Sequence, residues 1–175
     1  MQVIKGVPTP LEIAIGAIAE GYYSMLARLC ECARLRREYS ADLELASVAD
    51  VVMRAIAEER PVEAGPVKVE VRRKLLGKSI KVVYRGEEVD PNEFLTKISQ
   101  ARSRAAWLQS DCSDQAVLEP VYATNDRDAI EYAVRHMDEL SKVCDGVSPQ
   151  LEGLEMPSYV KEGIKKGVER FLARQ

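Results

Sequence analysis

Histidine, tryptophan, phenylalanine and asparagine are scarce in this chain: one His, one Trp, two Phe, and only Asn92 and Asn125. A single histidine leaves nucleophilic catalysis one imidazole base to draw on. His136 falls within a helical pattern beside Asp138 and Glu139, where an exposed or structural histidine is expected. No G-x-S-x-G elbow, Walker loop or G-x-G-x-x-G turn occurs. The acid pairs Glu58-Glu59 and Glu87-Glu88 fall at helix ends or turns, where solvation and the helix dipole account for them. Asp126, Asp128 and Glu131 near a helix start would suit Mg²⁺, but first-turn acids are ordinary. The expectation is no catalytic residue, no metal ligand and no cofactor.

Long apolar runs are also missing. Nothing approaches the ~18 residues that a membrane span needs. The first ten residues, MQVIKGVPTP, hold one Lys and no continuous apolar core, so a secretory signal is not expected and the cytoplasm is the default location. With 46% hydrophobic and 30% charged residues, the 175-residue chain reads as one globular domain, 1–175. Cys30, Cys32, Cys112 and Cys144 fit no metal spacing. Buried thiols are the expected reading, with a Cys112–Cys144 or Cys30–Cys144 disulfide left open. Few Asn among many Glu, Arg and Lys leans towards a thermophile, where intracellular disulfides are tolerated.

What is present is mostly helical periodicity. Thr9-Pro10-Leu11-Glu12 is a helix start with a capping box, opening a helix to about Glu38 that contains Gly16 and Gly21. Those glycines predict close approach of another helix, or a kink near Gly21. A second helix is expected from Ser40 or Asp42 to about Arg60, and a third from Asp90-Pro91 to about Gln109 with Trp107 at the edge of its apolar stripe. A single turn at 114–118 is expected to stop at Pro120. Thr124 or Asn125 would then cap a helix to about Asp145, and a last helix would cover 157–173. Gly163 and Gly167, four apart, predict tight helix contact.

Between the second and third helices the period changes from 3.6 to 2. Val67, Val69 and Val71 alternate with Lys68, Glu70 and Arg72, and Ile80, Val82 and Tyr84 with Lys81, Val83 and Arg85, around a turn at Gly77. This predicts a β-hairpin insertion, 66–89, with one apolar and one basic face, and either a further short strand near Val89 or a docking helix to support it. Charge is concentrated here. Residues 65–104 carry ten cations and five acids (+5), against −3 for residues 1–64 and −5 for residues 105–175. The candidate contacts with a polyanion are Lys68, Arg72, Arg73, Lys74, Lys78, Lys81 and Arg85, continued by Lys97, Arg102 and Arg104. Aromatic and amide partners for base readout are few, so contact led by the nucleic-acid backbone, DNA or RNA, is expected. The competing reading is a solvated edge, or a basic face for an acidic protein.

Helices, a small basic β insertion and more helices, together with the segment Asn125-Asp126-Arg127-Asp128-Ala129-Ile130-Glu131-Tyr132-Ala133-Val134-Arg135, resemble the small subunit of archaeal type I-A CRISPR interference (Cascade) complexes. The resemblance implies a non-catalytic subunit in antiviral defence that packs beside a large subunit and helps hold DNA. The expected fold is mainly α, a bundle of about five helices with the basic hairpin between the second and third. The expected partners are other proteins of a larger complex and nucleic acid, not a membrane. Whether the chain pairs with copies of itself stays open.

Overall fold

A computed structural model describes residues 6–175; the first half of the stretch read against a secretory signal lies outside them. The order is α1 (Pro10–Glu38), α2 (Ser40–Ser47), α3 (Ala49–Ala57), β1 (Val62–Ala64), β2 (Val67–Lys74), β3 (Gly77–Tyr84), β4 (Glu87–Val89), α4 (Pro91–Asp111), α5 (Asp114–Tyr122), α6 (Arg127–Arg135), α7 (Met137–Ser141), a 3₁₀ turn (Lys142–Asp145) and α8 (Ser158–Ala173). The protein is mainly helical with a small antiparallel sheet. It divides into two compact units, residues 6–33 with 111–175, and residues 34–110.

In the first unit, α1 starts on the expected capping box. Thr9 Oγ1 accepts from the Glu12 amide and Glu12 Oε2 accepts from the Thr9 amide, each at 3.2 Å. The helix buries Ile15, Ile18, Tyr22, Met25, Leu26 and Leu29 and runs through Gly21 without a break. Gly21 meets α5, where an added Cβ would stand 2.8 Å from the Pro120 carbonyl oxygen. On α8, a Cβ at Gly163 would lie 2.7 Å from Ile18 Cβ, and one at Gly167 would lie 2.7 Å from the Ala19 carbonyl oxygen. The paired glycines thus let α8 approach the backbone of α1. Gly16 has nothing within 4 Å of its would-be Cβ, so the expected close approach does not occur there.

Pro120 does not stop α5, which continues to Tyr122. A proline inside a helix removes the donor that the carbonyl four residues back would use. That carbonyl belongs to Ala116, and Arg28 Nη1 donates to it at 2.9 Å. Ser113 caps the helix start by accepting from the Ala116 amide. The helix expected from 125 to 145 is capped by Asp126 and breaks at His136 into α6, α7 and the 3₁₀ turn.

The cysteines are not thiols. Cys30 bonds Cys144 and Cys32 bonds Cys112, with Cα separations of 5.4 and 5.7 Å. Residues two apart on a helix point in different directions, so neighbouring cysteines reach different segments. Cys30–Cys144 is one of the two bridges left open above; the Cys112–Cys144 alternative does not form, because Cys112 bonds Cys32 instead.

In the second unit, Asp90 caps α4 by accepting from the Glu93 amide at 3.1 Å. The expected second helix is interrupted at Val48. There the Ser47 hydroxyl donates to the Glu44 carbonyl at 2.6 Å, the kind of local side-chain bond that bends helices. The sheet order is β1-β2-β3-β4, all antiparallel. β4 is a further strand near Val89, and β1 adds a strand on the other side of the hairpin. Val67, Val69 and Val82 share a core with Leu45, Val52, Ile56, Phe94 and Ile98.

Two outcomes follow from the first unit. Gly167→Ala forces a Cβ onto backbone and destabilises by about 1–3 kcal/mol, whereas Gly16→Ala stabilises by about 0.5–1 kcal/mol; chemical denaturation midpoints of the two variants move in opposite directions. The second concerns alkaline pH. The Tyr22 hydroxyl donates to the Ala129 carbonyl in the core, and burial raises its pKa far above the usual value of 10.0. Burial, with the Glu139 charge, pushes Tyr132 up to about 12, and its hydroxyl has no hydrogen-bond partner among the described residues. Unfolded tyrosine titrates near 10, so above that pH the unfolded chain binds fewer protons than the folded one. Stability is therefore held below about pH 10 and lost as pH rises towards 12 and beyond. Tyr132→Phe keeps or raises stability at pH 7 and shrinks the alkaline loss; a large loss at pH 7 in denaturant titration contradicts the account.

Candidate nucleic-acid interface

β2 and β3 pair over eight positions, from Val67↔Tyr84 at the base to Lys74↔Gly77 at the tip. The inner half is anchored by buried Val67, Val69 and Val82. From Arg72 to Lys78 every residue is exposed. At a strand rise of about 3.3 Å per residue, Arg72 to Leu75 spans about 10 Å, so the outer half is an arm.

The register divides the candidate cations. Lys68, Arg72 and Lys74 alternate on one face of β2 and share it with Lys81 of β3; Arg73 and Lys78 lie directly opposite each other on the face that carries the valines. The tip is therefore basic on both faces, where the alternation suggested one. Like charges directly opposite each other on a sheet cost stability.

Not all ten candidates are equally available. Glu70 stands 3.4 Å from Lys68 and 3.9 Å from Lys81. Arg85 and Lys97 flank the Tyr84 ring, at 5.5 and 4.6 Å from its centroid, at the base of the arm. Arg102 pairs with Asp50 at 3.3 Å. Arg104 pairs with Asp42 at 3.0 Å and stacks on Tyr39. The α4 arginines thus join α4 to the helices beside it. Arg72, Arg73, Lys74 and Lys78 form no ion pair among the described residues, and the structure gathers these four at the tip.

Two features escaped the sequence reading. Leu75 and Leu76, the two-residue loop between the paired Lys74 and Gly77, are fully exposed, at 105% and 101% of the reference area. The signal was available: an apolar pair in a loop that short has no core to reach. Trp107 is half-exposed, in an open groove of about 760 Å³ along α4 that also includes Lys97, Gln100, Ser103 and Arg104. It offers an aromatic face and an amide where few were expected.

The remaining chemistry is engaged locally. His136 stacks on Tyr132 at 4.6 Å between ring centroids and stands 3.7 Å from Glu139. Asp126 accepts from the Ala129 amide at 3.0 Å and from the Tyr159 hydroxyl at 2.7 Å, a bond that raises the Tyr159 pKa. Glu131 pairs with Arg135. Among the described residues no group of three or more His, Cys, Asp or Glu could hold a metal ion, and no helix is long and apolar enough to cross a membrane.

Comparison of the chain with family models, curated proteins and solved structures finds no match, so the reading of this surface rests on its own geometry.

Proposed function

We propose that this protein is a non-catalytic subunit of a larger assembly that grips nucleic acid by its phosphate backbone through the β2–β3 arm. The observation that carries the reading is the arm tip: Arg72, Arg73, Lys74 and Lys78 project beyond the core, on both faces of the ribbon, without an acid beside them. A solvated edge needs only scattered lysines to stay soluble. It does not need Arg73 and Lys78 held opposite each other, an arrangement that an anion between them would relieve. The chain carries −3 overall, so contact is confined to the arm and the remaining surface is repelled by phosphate.

Binding of labelled single- and double-stranded DNA, followed by fluorescence anisotropy across a salt series, tests this. Each phosphate contact contributes about −0.9 to the slope of log affinity against log salt for a duplex. The expected slope is about −3 to −4, and changing the four tip cations to Ala removes most of it with at least a tenfold loss of affinity at low salt. Arg102→Gln leaves binding unchanged, since Asp50 already engages that side chain. Absence of binding at 50 mM salt overturns the reading and leaves an adaptor whose basic tip meets an acidic protein.

A further inference from the structure

We infer that Leu75 and Leu76 form a wedge that enters the minor groove of duplex DNA and opens one base step, bending the duplex while the surrounding cations hold its phosphates. This rests on the nucleic-acid reading above and assigns a task to the part of the arm that phosphate contact does not use.

Among the described residues, the other exposed large apolar side chains retain partial cover, Val7 at 60% being the most open of them, whereas both tip leucines have none. Neither leucine has a positive φ, the left-handed position of the turn being taken by Gly77, and neither side chain reaches a core. Lys74 immediately precedes them and Lys78 follows after Gly77, with Arg72 and Arg73 one step behind. With Arg72 and Lys74 on one face of the ribbon and Arg73 and Lys78 on the other, an inserted tip meets phosphates on both walls of a groove. Burying two leucine side chains recovers free energy of the same order as unstacking a base step costs. An anionic bilayer fits less well. Two leucines bury less than one myristoyl chain, which is itself a marginal anchor, and the acidic remainder of the chain opposes approach.

The experiment uses a short duplex with donor and acceptor dyes at its ends and 2-aminopurine at internal steps. Wild-type protein is expected to raise transfer efficiency and to brighten 2-aminopurine at one step. Leu75→Ser with Leu76→Ser changes only solvent-exposed atoms. It abolishes both signals, lowers affinity by no more than about tenfold and leaves the salt slope unchanged. If the wild type binds the duplex with no bending and no 2-aminopurine response, the wedge is refuted while phosphate binding stands. If the wild type binds no duplex, the underlying reading fails first. If the leucine pair instead governs sedimentation with phosphatidylserine vesicles, or the oligomeric state in ultracentrifugation, the tip is a membrane or self-association contact and the wedge is overturned.

Discussion

The Cys32–Cys112 bridge is the constraint on which the layout of the chain depends. Residues 34–110 form a unit of their own, inserted between two segments that together build the other unit. The chain leaves after Ala33 and returns at Asp111, and the bridge joins the residues next to those two points, with Cα atoms 5.7 Å apart. Cys30–Cys144 ties the same turn of α1 to the 3₁₀ turn. In the chain-entropy account, closing one loop of this size restricts the unfolded chain by about 4–5 kcal/mol. The Cys32–Cys112 loop is nested inside the Cys30–Cys144 loop, so the pair contributes less than twice that amount. Around this fixed point the first unit adds close fits between distant segments: glycines that admit a neighbouring backbone, and Arg28 on the carbonyl that Pro120 leaves without a donor.

The second unit is arranged by a division of its charges. Its arginines on α4 are consumed by Asp42 and Asp50, and its strand lysines by Glu70. Four of the cations left without an acid, Arg72, Arg73, Lys74 and Lys78, sit together on a short arm whose base is held by three buried valines. Rigidity at the base and unsatisfied charge at the tip come from the same two strands, because alternation sends valine inwards only as far as the core extends.

Local signals were legible in the sequence wherever neighbours in the chain decide the structure. The capping box at Thr9, the Asp90 cap, the hairpin and its apolar stripe all follow from residues a few positions apart. What could not be read there depends on partners far along the chain. The Cys32–Cys112 bridge is of this kind, as is the choice of Cys30 over Cys112 as the partner of Cys144, and so is α5, which passes Pro120 because Arg28 supplies the missing donor. The breaks at Val48 and His136 lie inside unbroken apolar periodicity, which marks the buried face of a helix but not its continuity. At the candidate site, composition located the basic zone, but which cations are free of acids is a question of distance, and no sequence count answers it.

The closed sulfur bridge gives the inserted segment the topology of a ring. A single backbone cut anywhere in residues 34–110 leaves one covalent molecule, and reduction is needed before the pieces can separate. Residues can be added or removed at the turns of that segment without moving the two points where it meets the rest of the chain. The arm thus belongs to a tethered module whose length and tip can vary while its attachment stays fixed.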